Sequence, residues 1–115
     1  HYLALDDLKA ESVFFFVAEL DGEIAGCGAL ALREGYGEIK SMFVEPAKRG
    51  ANLGRRILER IEEEARLAGI QVLRLETGDT LVAAQRLYKV QGYNMRGPFG
   101  DYPDDPLSVF MEKTL

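Results

Sequence analysis

Leu53, Ile57, Leu58, Ile61, Ala65 and Ala68 recur at the three- and four-residue spacing of one helix face. Arg55, Arg56, Glu59, Arg60, Glu62, Glu63 and Arg66 occupy the rest of that surface, and Gly69 stands where a helix-ending glycine belongs. A helix with a single apolar stripe must bury it against another layer. The flanking sequence offers strands for that layer. Val13–Leu20 is rich in Phe and Val, Asp21-Gly22 is a tight hairpin signal, and residues 23–33 follow as its partner. Gly35 marks a turn, and residues 36–44 read as a third strand ended by Pro46. Beyond the helix, residues 71–76 form a short apolar strand and residues 77–80 a loop with the next N-cap. Residues 81–90 are a second amphipathic helix stopped at Gly92. Residues 93–99 are extended, 100–106 a loop, and 107–113 the last strand. Residues 2–11 read as the tail of a helix.

The order β-β-β-α-β-α-β-β predicts an α/β (α+β) fold, a mixed and mostly antiparallel sheet with helices packed on it. Right-handed crossover makes the third strand and the strand at Gln71 parallel neighbours. At 115 residues without repeats or a linker, the chain reads as one domain, 1–115. A net charge of −5 disfavours coating of a nucleic acid. Cys27 is the single cysteine, which excludes an internal disulfide and fits a reducing, cytoplasmic setting. No signal peptide is visible and no apolar run approaches a membrane span. His1 is the only histidine, and no metal site can be built from it.

The informative stretch joins the third strand to the long helix: Val44-Glu45-Pro46-Ala47-Lys48-Arg49-Gly50-Ala51-Asn52-Leu53-Gly54-Arg55-Arg56. A strand ends, a basic loop with glycines follows, and a helix begins. The first N–H groups of that helix lack intrahelical acceptors, and the helix dipole adds partial positive charge. Glycines let an anion approach the backbone, and Lys48, Arg49, Arg55 and Arg56 add full charges. The pattern describes a phosphate or pyrophosphate cradle. The plainer alternative is a turn, a close helix–sheet contact and a solvated basic face. Neither the P-loop nor the dinucleotide fingerprint is present.

Arg49-Gly50-Ala51-Asn52-Leu53-Gly54 resembles the Arg/Gln-x-x-Gly-x-Gly/Ala pyrophosphate loop of the GNAT superfamily of acyl-CoA-dependent N-acetyltransferases. Ser41-Met42-Phe43-Val44 precedes it at the expected distance. Downstream, Ala84-Gln85-Arg86-Leu87-Tyr88-Lys89-Val90-Gln91-Gly92-Tyr93 is similar to that family's Ala-x-x-Leu-Tyr-x-x-x-Gly-Phe/Tyr signature. Three departures stand out. Asn52 replaces the central loop glycine, and Asn is the non-glycine residue most tolerant of left-handed geometry. Leu81 stands where a polar residue is usual. The family's first strand and helices are expected to be truncated, with only residues 2–11 standing for the end of that region.

The resemblance implies acetyl transfer from acetyl-CoA to a primary amine of a small molecule or peptide, by direct attack in a ternary complex. Met42, Phe43 and Val44 would line the pantetheine arm, and Arg49, Gly50, Ala51, Asn52, Leu53, Gly54 and Arg55 would hold the pyrophosphate. Attack needs a neutral amine, so a base must take a proton. Glu38 matches a catalytic glutamate of some family members, with Glu76 competing as base or amine anchor. Glu38 could instead pair with Lys40 or Arg33 at a sheet edge. Tyr88 matches the family tyrosine that protonates the leaving thiolate, and it could equally be a core residue. Phe14, Phe15, Phe16, Phe99, Tyr102 and Phe110 are candidates for an acceptor pocket, beside an acidic loop over residues 98–105 that would favour a cationic amine. A homodimer is left open. The rival reading from another class is a catalytically weak acyl-CoA-binding or regulatory module with the same fold.

Overall fold

A computed structural model describes residues 12–115. The expected helix tail over residues 2–11 lies outside them. The elements run β1 (Val13–Leu20), β2 (Glu23–Leu32), β3 (Gly37–Val44), α1 (Leu53–Leu67), β4 (Val72–Gly78), α2 (Val82–Val90), β5 (Asn94–Arg96) and β6 (Ser108–Thr114). A short 3-10 turn, Pro46–Lys48, leads from β3 toward α1. The six strands form one sheet in the order β1-β2-β3-β4-β6-β5. Among the described residues β3 and β4 are the only parallel neighbours, as the crossover rule requires. This is the mixed, mostly antiparallel sheet that the element order predicts.

Ala68, read as part of the stripe of α1, is the exposed C-cap residue beyond its last turn, and Glu62, read as outer surface, is buried. The rest of the stripe is buried: Leu53, Ile57, Leu58, Ile61 and Ala65 are core residues. They pack with Leu30 and Ile39 of the first hairpins and with Leu73, Leu75 and Met111 farther along the sheet. Gly28 on β2 makes this approach feasible. A Cβ there would stand 2.6 Å from Met42 Sδ and 2.7 Å from Ile57 Cγ2. A buried polar clamp ties α1 to the far strands. Glu62 accepts a hydrogen bond from the Tyr93 hydroxyl at 2.8 Å and from Lys113 Nζ at 3.0 and 3.1 Å. Gly69 follows α1 with φ +77, the expected stop.

Several boundaries differ from the sequence reading, most of them by one residue. β4 continues through Thr77 to Gly78 because β6 runs beside it as far as Ser108. The residue before α2 is then Leu81, which makes no side-chain cap, so residues 77–80 do not supply one. Backbone bonds turn the chain instead, from Leu81 N–H to Gly78 C=O and from Val82 N–H to Thr80 C=O. Gln85 reaches back from α2 to the Gly78 carbonyl at 2.9 Å. Of the stretch 93–99, Asn94, Met95 and Arg96 alone are paired, at the sheet edge on β6.

Candidate active site

β3 and β4 pair only where Gly37, Glu38 and Ile39 face Leu73, Arg74 and Leu75. Past that point β3 follows β2 and β4 follows β6, so the parallel strands part. The reason lies in β3. Ala29 faces Lys40 but Cys27 faces Phe43, so Ser41 and Met42 together oppose Gly28. Ser41 sits at φ +56, left-handed geometry inside a strand. An extra residue of this kind bends its strand and sharpens the local twist. Cys27 Sγ donates to the Ser41 carbonyl at 3.2 Å, holding the bulge against β2.

The gap leads into a groove of about 470 Å³. Met42, Phe43 and Val44 form its β3 side; Arg49, Gly50, Asn52, Leu53, Gly54 and Arg55 form its loop side. Ala83, Ala84, Leu87 and Tyr88 of α2 face them. Ala51 lies in the loop without lining the groove. Asn52 adopts φ +58, ψ +29, the left-handed conformation anticipated for an asparagine in a glycine's place. Gly50 is at φ +99 with nothing within 4 Å of its missing Cβ.

The first intrahelical bond runs from Arg56 N–H to Asn52 C=O at 3.0 Å. The amides of Leu53, Gly54 and Arg55 therefore have no acceptor inside the helix. The first turn holds no acidic residue. Leu53 turns its side chain into the core, so what it offers the groove is main chain. Gly54 has a structural duty as well: a Cβ there would lie 2.8 Å from Leu87 Cδ2. Lys48 is drawn toward Glu23 at 3.4 Å and is not part of the lining.

A second, smaller cavity of about 80 Å³ adjoins the groove. Met42, Leu81, Ala84 and Tyr88 line both spaces and so form the neck between them. Tyr88 is buried, with its hydroxyl pushed up to about 12 by loss of solvent. It is therefore a neutral O–H donor at physiological pH. Leu81, where the resembled pattern has a polar residue, is half exposed at the mouth.

The carboxylates divide. Glu76 lines the small cavity and accepts from Ser108 Oγ at 2.7 Å. Glu38 is buried on a central strand and is absent from the cavity lining. Its Oε1 accepts from Arg33 Nε at 3.1 Å, and its Oε2 accepts from the Tyr102 hydroxyl at 2.6 Å. Both pairings weighed from the sequence are present, Arg33 at 3.1 Å and Lys40 at 3.9 Å, but in the middle of the sheet rather than at an edge. Lys40 Nζ also donates to the Tyr102 hydroxyl at 3.5 Å.

Of the six aromatics weighed for an acceptor pocket, Tyr102 reaches the cavity. Phe99 and Phe110 are buried and hold its ring edge-on at 5.2 and 5.6 Å. Phe14 and Phe16 pack on the core, and Phe15 is half exposed. The Ser41 bulge and the Glu38–Tyr102 contact were not legible in the sequence. The only local signal for the latter is an aromatic-rich loop of unknown destination.

The model of the Acetyltransferase (GNAT) family matches residues 1–93. An IAA acetyltransferase of Azospirillum brasilense is 52% identical over all of this chain and 76% of its own length. The uncharacterized N-acetyltransferase YsnE of Bacillus subtilis is 40% identical over all of this chain and 78% of its length. A solved Klebsiella pneumoniae chain, provisionally assigned as an acyl-CoA N-acyltransferase, superposes with a TM-score of 0.91 at 43% identity, covering 98% of this chain and 79% of that one. The PaiA N-acetyltransferase of Thermoplasma acidophilum, solved in complex with coenzyme A, shares the fold at a TM-score of 0.80 and 19% identity, over 90% of this chain and 62% of its own. The family model, the similar relatives and the superposed structure agree, and the chain belongs to the GNAT acetyltransferase family.

Proposed function

We propose that the protein transfers an acetyl group from acetyl-CoA to a primary amine of a small molecule or peptide, by direct attack in a ternary complex. One observation carries this reading: a groove lined by the first residues of α1 meets a small cavity at a neck that includes Tyr88. The groove fits the acyl carrier. Its β3 side has left its β4 partner, so the main chain of Met42 and Val44 is available to an arm lying along it like an added strand. Its loop side has left-handed backbone at Gly50 and Asn52, free helix amides and the charges of Arg49 and Arg55, which suits a pyrophosphate. The family match and the coenzyme A complex of the PaiA neighbour support the same carrier.

In this reading the thioester lies at the neck. The acceptor amine enters the small cavity, loses a proton and attacks the carbonyl carbon. Tyr88 gives its proton to the departing thiolate. Glu38 and Glu76 are the two carboxylates near the amine's position, Glu76 in the wall and Glu38 one hydrogen bond behind it. The test is a panel of amines with acetyl-CoA, read by thiol release and by mass of the acetylated product. Product formation supports transfer. Tight coenzyme A binding with no product from any amine supports the binding-module alternative instead.

A further inference from the structure

We propose that the acceptor is an amine that also carries an anionic group, and that Lys40 is the specificity-determining residue that binds this anion. This rests on the transfer reading above and names its substrate class.

Lys40 follows Glu38 by two residues on β3, as Glu76 follows Arg74 on β4. Glu38 faces Arg74 in the parallel ladder, whose last pair is Ile39 with Leu75. Side chains two apart on a strand share a face, so Lys40 and Glu76 project from one face just where the strands part. Both line the small cavity. The splay thus sets a cation and a carboxylate on different strands around one space. Of the acidic loop over residues 98–105, Tyr102 alone joins that lining. The loop's carboxylates are therefore not what the acceptor meets.

Lys40 has charge to spare. Glu38 is one carboxylate with two cations within ion-pair distance, Arg33 at 3.1 Å and Lys40 at 3.9 Å, which leaves one positive charge in excess. Arg33 is the nearer and donates a hydrogen bond to Oε1. Lys40 stands beyond hydrogen-bond reach of Oε2. Tyr102 adds no charge, because burial and its hydrogen bond to Glu38 hold the phenol far above its usual range. An ammonium has three N–H donors. Tyr102 Oη accepts one from Lys40 at 3.5 Å, with the ring centre 5.9 Å from Nζ. Donors remain on the cavity side for an anion. The Lys40 side chain is only 16% exposed, so solvent screens this charge less than a surface one.

Glu76, which accepts from Ser108 Oγ at 2.7 Å, supplies negative charge in the same lining. A ligand with an ammonium at one end and a carboxylate a few bonds away matches this pair of charges in the opposite sense. A simple alkylamine leaves Lys40 unmatched, and a diamine sets a second cation against it.

The experiment measures kcat/KM with acetyl-CoA for α-, β- and γ-amino acids, each beside its own carboxamide, and for a diamine of similar length. Wild type should favour the best acid over its amide and over the diamine by about 10-fold or more. In Lys40→Met the acid-to-amide ratio should drop about 10-fold. The ratio is taken within one enzyme, so a general loss of rate cancels. A second measurement needs no variant: the acid without its amino group should compete with the acceptor in wild type, and its amide should not. A wild type that favours the amide or the diamine overturns the proposal. So does a Lys40→Met enzyme that keeps the wild-type ratio, or a des-amino acid that fails to compete. A wild type inert toward every amine overturns the transfer reading itself, whereas the other failures strike the Lys40 assignment alone.

Discussion

Tyr88 illustrates how one residue can be both core and chemistry. Its ring packs at 5.9 Å edge-on to Tyr93, and the residue lines both the groove and the cavity. Tyr88→Phe should keep the packing and remove the proton donor. Turnover should fall about 100-fold while coenzyme A affinity, measured by titration calorimetry, changes little. Equal losses in both would make Tyr88 structural only. Its raised pKa also predicts a stability effect. Below pH 10 the phenol is protonated in folded and unfolded chains alike and the full stability is present. Between pH 10 and about 12 the unfolded chain releases the proton first, so stability falls. Urea titrations of wild type and Tyr88→Phe across that window should show a steeper decline for wild type, by about 1.4 kcal/mol per pH unit at most.

At the scale of elements, the start of α1 is set by backbone conformation as much as by charge. Asn52 holds a left-handed position at the helix cap without a side-chain capping bond. Asn52→Gly should therefore fold normally and bind coenzyme A more tightly, because a side chain beside the groove is removed. Asn52→Val should cost about 1–2 kcal/mol in urea unfolding, since a β-branched residue resists that geometry.

Gly54 makes a close contact of the kind weighed from the sequence, but chiefly with α2 rather than with the sheet. A side chain there meets Leu87 before any ligand is considered. Gly54→Val should lose about 1–3 kcal/mol of stability by overpacking, besides weakening coenzyme A binding. Adding Leu87→Ala should recover much of the stability. Recovery of stability without recovery of affinity would separate the helix contact from the cradle.

For the whole molecule, the Glu62 clamp joins α1 to β6 and to the turn after α2. Glu62→Ala strands the Tyr93 hydroxyl and the Lys113 ammonium in a mostly buried place and should cost about 2–4 kcal/mol, read as a lower urea midpoint. No helix among the described residues is long and apolar enough to cross a membrane.

Most elements were legible because their signals are local. The stripe of α1, the Asp21-Gly22 turn and the Gly69 stop are all short-range properties of the backbone and its neighbouring side chains. Boundaries failed where a distant partner decided them: β4 gains Thr77 and Gly78 from its ladder with β6. The residues named from the contiguous motif line the groove, Ala51 excepted, because neighbours in sequence along one strand and loop stay neighbours in space.

The amino-acid order alone thus determined the element order, the parallel placement of β3 beside β4, and the glycine-containing basic loop at the head of α1. Only the folded chain decided where β3 bends, because a left-handed serine within a strand has no sequence signature. Only it decided that Tyr102, sixty-four positions from Glu38, stands between that carboxylate and the cavity. Hydrophobic period and turn chemistry act over a few residues, whereas the meeting of two remote side chains depends on strand order, register and a loop's path together.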